Sequence, residues 1–290
     1  DCGKRFCFTC GLDDHRPCSC EHLKQWTIKC RDDSETYNWL TSNTKACPKC
    51  KTSIEKNGGC NHMTCKNGAC KHEFCWVCTG SWKDHANSYY SCNRFDPDAE
   101  TPEGKKRDNS RLALEHYLHH YTRFTNHNNS LKLEKEQREK TEQKITEMQE
   151  RGDNTWLDCQ YLVEANSALQ ECRYVLQYTY VYAYYLDKSE VVERNHKSNF
   201  EDNQSSLEKQ TEDLSRLLEL DVEKIDRSVV VHCYQMARKR LCNLLDLVDS
   251  KHQPERGTTS AFGGAELGAV DQGRIERMDT GESNVGDGTS

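Results

Sequence analysis

Residues 47–92 read CPKCKTSIEKNGGCNHMTCKNGACKHEFCWVCTGSWKDHANSYYSC. Cysteines stand at 47, 50, 60, 65, 70, 75, 78 and 92, and histidines at 62, 72 and 85. A Cys-x-x-Cys turn aims two thiolates at one metal, and a tetrahedral structural zinc takes four Cys or His ligands, usually as two close pairs. Two such ions would leave candidates over, and spacing alone leaves two readings open. Either every one of these cysteines is a ligand and the histidines stand by, or His85 is a ligand and one cysteine is free. The local sequence singles out Cys60 for the second reading. Gly58 and Gly59 before it permit close approach of another backbone. His62, two residues on, shares its face if the chain is extended. A free thiol beside a histidine is an arrangement for nucleophilic catalysis.

Upstream, residues 1–20 read DCGKRFCFTCGLDDHRPCSC, in which Cys7, Cys10, His15 and Cys20 make a complete set of four ligands. Cys18 or Cys30 could replace Cys20 in that set. Cys2 is a further ligand whose partners would precede residue 1. Residues 21–46 are polar, with Trp26, Ile28, Trp39 and Leu40, and read as a helical linker. Downstream, Pro97, Pro102 and Gly104 mark residues 97–110 as another linker.

Residues 111–250 are nearly free of Gly and Pro. Leu114, Tyr117, Leu118, Tyr121 and Phe124 recur at helical steps, as do Val222, Ile225, Val229, Cys233, Met236, Leu241, Leu244 and Val248. An antiparallel bundle of three or four long helices is expected. Gly152-Asp153-Asn154 supplies a stop and an N-cap before Trp156. Tyr178, Tyr180, Tyr182 and Tyr184 alternate, which fits a strand as well as a helix. The late cysteines, Cys159, Cys172, Cys233 and Cys242, sit at helical positions as core or half-buried thiols. His116, His119, His120 and His127 read as packing or solvated residues rather than a metal site. Residues 251–290 hold 8 of the 16 glycines and few large apolar residues, so disorder is expected.

Of the 18 cysteines, 14 lie in the first 92 residues. Repeated Cys-x-x-Cys pairs with histidines nearby favour zinc in a reducing compartment over a disulfide framework. The chain has 290 residues, 34% hydrophobic and 30% charged, which argues against one large apolar core. No starting Met and no charged-then-apolar leader is seen. No run approaches the ~18 apolar residues of a membrane span. A net charge of −7 argues against bulk affinity for nucleic acid, and residues 1–96 carry 14 Lys/Arg against 11 Asp/Glu, too small an excess for a basic stripe.

Together these residues resemble a known family. Cys47-Pro-Lys-Cys50, Ile54-Glu-Lys-Asn-Gly-Gly-Cys60-Asn-His62-Met, Glu73-Phe-Cys75-Trp-Val-Cys78, Trp82, His85 and Cys92-Asn-Arg-Phe95 resemble the catalytic second RING of the RING-between-RING ubiquitin ligases. Cys2 to Cys20 is similar to the end of the in-between-RING domain, and Asp32 to Thr36 with Trp39 to the linker that follows it. Tyr117, Asn126-His127, Ser130-Leu-Lys-Leu-Glu134 and Phe200-Glu-Asp-Asn-Gln204 resemble the helical Ariadne domain. The implied architecture is a set of small zinc-stabilised modules followed by an all-α bundle and a disordered tail. Its parts are the in-between-RING remnant (1–20), helical linker (21–46), catalytic second RING (47–96), linker (97–110), Ariadne domain (111–250) and tail (251–290).

The resemblance implies that Cys47, Cys50, Cys65 and Cys70 hold one zinc and Cys75, Cys78, His85 and Cys92 a second, with one or two more in residues 1–20. It implies that Cys60 takes ubiquitin as a thioester from a conjugating enzyme and passes it to a substrate lysine. His62 would be the general base and Glu73 its acidic partner. Trp76 would pack near the zinc or receive the ubiquitin tail, and Trp82 would pack locally. The Ariadne domain would restrain the catalytic module, with Leu133, Glu201 and Glu212 at the inhibitory contact, until a neddylated cullin-RING ligase releases it. Family members can carry an aromatic where Leu133 stands, which leaves the strength of inhibition open. The first RING, which recruits the conjugating enzyme, is not among these residues. The implied compartment is the cytoplasm, with the nucleus second. The competing readings are a zinc-stabilised interaction module without catalysis, and, more remotely, a zinc-finger nucleic-acid binder.

Overall fold

The computed structural model describes residues 5–32, 44–56, 58–88, 91–96, 109–151, 155–186 and 191–252. All of them fall in the first of two units, Asp1–Gln253 and Pro254–Ser290. Helix α1 (Cys20–Asp32) starts where the Ser19 hydroxyl accepts the His22 N–H at 3.1 Å, an N-cap. Two hairpins follow. β1 (Thr44–Ala46) pairs antiparallel with β2 (Ser53–Glu55), and β3 (His62–Thr64) with β4 (Glu73–Cys75). Strands of three residues cannot hold themselves together in water. Here Ile54, Met63, Phe74 and Trp76 make a small buried cluster with Cys47 and Cys65. Because β1 pairs with β2, residues 44–46 belong to this module and not to the preceding linker. The module ends with α2 (Trp82–Ser88) and a short turn of 3₁₀ helix, Ser91–Asn93.

Four long helices complete the described chain: α3 (Asn109–Glu150), α4 (Trp156–Tyr184), α5 (Val191–Glu219) and α6 (Arg227–His252). The bundle expected from the sequence is therefore present. The caps differ from that expectation. Residues 152–154 lie outside the described residues, and the N-cap of α4 is Thr155, which forms a reciprocal capping box with Asp158. Asp226 caps α6 by accepting the Ser228 and Val229 N–H groups. Val222 falls in a 3₁₀ turn, and Leu114 and Val229 are exposed, so the helical pattern overran the true faces.

Helix α4 is central, packed by α3, α5 and α6. That position settles the tyrosine alternation as helix. Tyr178 meets Phe124, Tyr180 reaches Glu208, Tyr182 meets Phe200, and Tyr184 meets Trp26. A helix wrapped on all sides needs no polar stripe. Cys159, Cys172 and Cys233 are core thiols, whereas Cys242 is exposed. The linker expected at 97–110 and the tail at 251–290 lie outside the described residues, except where α3 begins and α6 ends.

Trp26 of α1 is fully buried among Tyr117, Tyr121, Phe124 and Tyr184 of the bundle. Nearby, His22 stacks on Tyr185, Arg5 pairs with Glu171 at 2.6 Å, and the Tyr174 hydroxyl donates to the Asp14 carbonyl. The first cysteine module and α1 are thus bolted to α4. Removing a buried indole typically costs about 3–5 kcal/mol. Trp26→Ala is expected to expose α1 to protease while residues 109–252 keep their helical circular-dichroism signal.

Candidate functional site

Three sets of donor atoms converge among the described residues: Cys7, Cys10, His15 and Cys20; Cys47, Cys50, Cys65 and Cys70; and Cys75, Cys78, His85 and Cys92. In each set all four atoms lie within 4.8 Å of one another. The Cys7–Cys20, Cys50–Cys65 and Cys47–Cys70 sulfur pairs are 3.6, 3.6 and 3.9 Å apart. A zinc bound to sulfur at ~2.3 Å sets tetrahedral edges of about 3.8 Å, so these groups fit the ion. Local backbone explains the convergence. Each set closes a turn whose last residue is left-handed: Gly11 after Cys10, Lys51 after Cys50, Lys71 after Cys70 and Thr79 after Cys78. Lys51 and Thr79 send their N–H groups back to the carbonyls of Cys47 and Cys75, at 2.9 and 2.8 Å.

The histidine ligands are oriented from behind. His85 Nδ1 lies 3.0 Å from the Ser81 carbonyl and His15 Nδ1 2.7 Å from that of Cys18. A proton on Nδ1 satisfies each carbonyl and leaves Nε2 free for a metal. Nε2 of His85 sits 3.2 Å from the sulfurs of both Cys78 and Cys92. Cys20, and not Cys18 or Cys30, completes the first set. Those two pack against the Trp26 cluster instead. Cys2 lies outside the described residues. His72 joins no cluster and stacks on Phe74.

Cys60 belongs to none of the three sets. It lies in the turn between the hairpins, buried, with the His62 N–H 3.4 Å from its sulfur. Its cover comes from the bundle. Arg173 of α4, wholly buried, donates to Glu134 at 2.9 Å, to Glu212 at 2.5 Å and to the Gly59 carbonyl at 3.0 Å. Glu212 in turn accepts the Asn61 backbone N–H at 2.5 Å and its side-chain amide at 2.7 Å. Ser130 donates to the Gly59 carbonyl, and Glu219 accepts the Cys60 N–H at 3.4 Å. Lys56, also buried, donates to Asn61, Asn126 and Ser130 at 3.0, 3.3 and 2.8 Å.

The glycines expected to admit another backbone admit carboxylates instead. A methyl at Gly59 would overlap Glu134, and one at Gly58 would meet Glu219. Farther along the contact, Arg94 pairs with Glu201 at 3.3 Å and with Asp202 at 2.6 Å, and Arg123 donates to the Cys92 carbonyl. Glu201 and Glu212 thus both meet the cysteine module, on one face of α5. Leu133 is half-buried beside Glu134.

The electrostatics follow from this cover. Burial pushes the Cys60 thiol well above its ordinary range, and Glu212 and Glu219 add to the push. Burial brings Lys56 down to about 8, against the pull of Glu212. Burial also raises Glu134 and Glu219. Arg173 keeps its charge despite burial, because Glu134 and Glu212 outweigh the loss of water.

Burial lowers His62 too, against the pull of Glu73. The Glu73 carboxylate, the acidic partner expected for that ring, stands at ion-pair distance, 3.6 Å from His62 Nε2, and is 49% exposed. The imidazole also stacks on Trp82, with centroids 4.2 Å apart and planes at 11°. Trp76 is buried in the module core, its carbonyl accepting from Lys45.

Sequence reasoning missed Arg173, Lys56, Asn61 and Asn126 as contact residues. The signal for Arg173 was present: a lone cation on α4 with Leu169 and Leu176 at helical steps to either side. The histidines of α3 pack as expected. His127 Nε2 lies 2.6 Å from Glu208, and His119 lies 2.9 Å from the Asn93 carbonyl.

The clusters set two expectations. Cys60→Ala should leave the metal content of purified protein unchanged. Cys65→Ala should lower it by about one ion per chain and loosen the hairpins, as elemental analysis and proteolysis would read.

A family model described as IBR domain matches residues 40–87. It falls on the two-cluster module and not on residues 1–20. A model described as Ariadne domain matches residues 115–253. Over 229 residues the chain is 48% identical to E3 ubiquitin-protein ligase dbl4 of Schizosaccharomyces pombe, covering 79% of this chain and 44% of that protein. It is 45% identical over 258 residues to E3 ubiquitin-protein ligase ariadne-1 of Drosophila melanogaster, covering 88% of this chain and 50% of the relative. It is 46% identical over 221 residues to E3 ubiquitin-protein ligase ARIH1 of Homo sapiens, covering 76% of this chain and 39% of the relative. The chain thus spans half or less of the length of these relatives. With both family models matched, and with the helical bundle and cysteine clusters in place, the chain belongs to the Ariadne-type RING-between-RING family.

Proposed function

We propose that this chain is the catalytic and regulatory part of a RING-between-RING ubiquitin ligase that carries ubiquitin on Cys60. The observation that supports this best is the position of Cys60: outside every ligand cluster, in a turn fixed on both sides by hairpins that end in clusters. In this reading residues 44–96 are the second RING, residues 5–20 end the in-between-RING domain, and zinc occupies all three clusters. Thiolate ligands suit a reducing compartment, the cytoplasm with the nucleus second. The partners are ubiquitin, a ubiquitin-conjugating enzyme and a protein substrate.

The first step is thioester exchange. The Cys60 thiolate attacks the ubiquitin carbonyl carbon, the new carbon–sulfur bond forms, and the conjugating enzyme's thiolate leaves. Exchange between two thiols is nearly isoenergetic, so placement and a thiolate are what the protein must supply. In the second step a lysine amine attacks the same carbon and Cys60 leaves as thiolate. A lysine near pH 7 must lose a proton to attack. His62 lies on β3 two residues from Cys60, and an imidazole's ordinary pKa of ~6.5 suits a base at that pH.

The structure in hand corresponds to a restrained state in this reading. Neither an ubiquitin tail nor a conjugating enzyme can reach a thiol covered by Glu134, Glu212 and Glu219. Burial, with Glu212 and Glu219 beside it, also disfavours the thiolate. Release requires the module to leave the bundle, and a neddylated cullin-RING ligase is the proposed releasing partner. A purely structural zinc module is the weaker reading, because it gives no role to a cysteine held outside its clusters.

Ubiquitin activated as its mercaptoethanesulfonate thioester tests the reading without a conjugating enzyme. Glu212→Ala removes the acceptor of both Asn61 N–H donors across the contact, and a buried donor left unpaired costs about 1–3 kcal/mol, on the order of ten- to a hundredfold in the closed-to-open ratio. The variant is expected to form a reducible ubiquitin adduct much faster than the parent protein. Adding Cys60→Ala should abolish it at unchanged zinc content. An adduct that survives loss of Cys60 would refute the assignment.

The thiol should respond in parallel. Opening returns Cys60 towards an ordinary thiol pKa of ~8.5, so alkylation of Glu212→Ala by iodoacetamide should rise through pH 8–9. Cys60 in the parent protein should stay slow across that range.

A further inference from the structure

We infer that Trp82 is the positioning residue for the His62 imidazole and ties it to the second cysteine cluster. The inference rests on the ligase reading above and adds the group that orients its base. His62 has few other holds. Strand pairing fixes its backbone opposite Cys75, but not its ring. Its Nε2 is buried with no hydrogen-bond partner among the described residues. Glu73, half in water, offers only a long ion-pair contact at 3.6 Å.

The indole of Trp82 is different. It covers the imidazole face to face, 4.2 Å between centroids and 11° from parallel. On the same indole, the ring of His85 lies 5.8 Å away at 5°. Trp82 opens α2 and His85 follows three residues later, on the same side of the helix. His85 is itself held at both nitrogens, by the Ser81 carbonyl and by the sulfurs of Cys78 and Cys92. Three nearly parallel rings therefore run from the ligand cluster to His62. The cluster fixes α2, α2 fixes the indole, and the indole limits the imidazole to one plane.

Placement of that ring matters in one half-reaction. A thiol acceptor attacks the Cys60 thioester as its own thiolate and needs no base. A lysine must give up a proton, and the base must stand within hydrogen-bond reach of it. A ring that only fills space would affect both acceptors alike. A positioning ring affects lysine alone.

The test uses the full chain carrying Glu212→Ala, loaded with ubiquitin mercaptoethanesulfonate thioester and freed of excess donor. Decay of the adduct is followed in a single turnover with free lysine or with mercaptoethanol. Trp82→Ala and Trp82→Leu are expected to slow discharge to lysine about tenfold or more while discharge to mercaptoethanol stays within about twofold, since a misplaced base is lost only where a proton must move. Leucine fills the space without offering a flat face. Trp82→Phe, which restores one, should recover most of the lysine rate at the same zinc content. Equal slowing with both acceptors, or a Leu variant as fast as its Glu212→Ala background, overturns the inference. A Glu212→Ala protein that never loads at Cys60 overturns the ligase reading beneath it.

Discussion

A guanidinium buried from water must find its compensation within reach, and Arg173 finds it in two places at once. Glu134 and Glu212 supply charge from the bundle, and the Gly59 carbonyl supplies an acceptor from the cysteine module. Stripping an ion of water costs several kcal/mol even after relaxation, so neither half of the arrangement is satisfactory alone. The bundle without the module leaves Arg173 short of an acceptor. The module without the bundle leaves Asn61 and Lys56 to be paired by water. The contact is specific for that reason. It recognises a carbonyl, an N–H and an amide at fixed spacing, which an apolar patch could not.

In the ligase reading proposed above, control and chemistry share the same few atoms. The turn that presents Cys60 is pinned from below by the hairpins and their clusters, and from above by carboxylates. Covering the thiol blocks access. Surrounding it with acidic groups in a dry site also holds its proton on, because a second negative charge there has nothing to solvate it. The two effects act together. An intruder that reaches the sulfur still meets a thiol rather than a thiolate. The stacking that orders His62 comes from within the module, through α2, while Arg216 and Glu212 of the bundle also bear on its charge.

Much of this was legible in the residues. The Cys-x-x-Cys pairs marked where ligand clusters would form, because that turn is local, and the resemblance supplied the remaining members of the sets in residues 47–92. The helices of 109–252 follow from their apolar period. The resemblance identified Cys60 as the spare thiol, and Gly58 and Gly59 foretold a close approach. What pattern reading could not give was pairing across distance. Arg173 and Gly59 are 114 positions apart. Nothing in the local sequence of either names the other. The alternating tyrosines were ambiguous for a related reason: that stretch of the central helix is buried or half-buried on every side, which hides its periodicity. Glu73 lies at ion-pair distance from His62, as its family position implied, but its exposure was not visible in the sequence. Trp82 looked like filler, since an aromatic ring in sequence does not declare which face is in use. Chain spacing is a local observable, whereas contacts of this kind depend on how whole elements dock.

The aromatic socket around Trp26 has a further mechanical meaning. It fastens α1 to the same bundle from which α3 begins, so the chain on both sides of the two-cluster module is moored to one body. Only residues 33–43 lie between α1 and β1, and only 97–108 between the module and α3. Segments of that length span on the order of 40 Å when fully stretched. In the ligase reading proposed above, undocking with the socket intact would let the sulfur move within a shell of that radius and no farther. In that reading an acceptor amine would have to come inside that shell, so the length of the two connections would help decide which lysines are eligible.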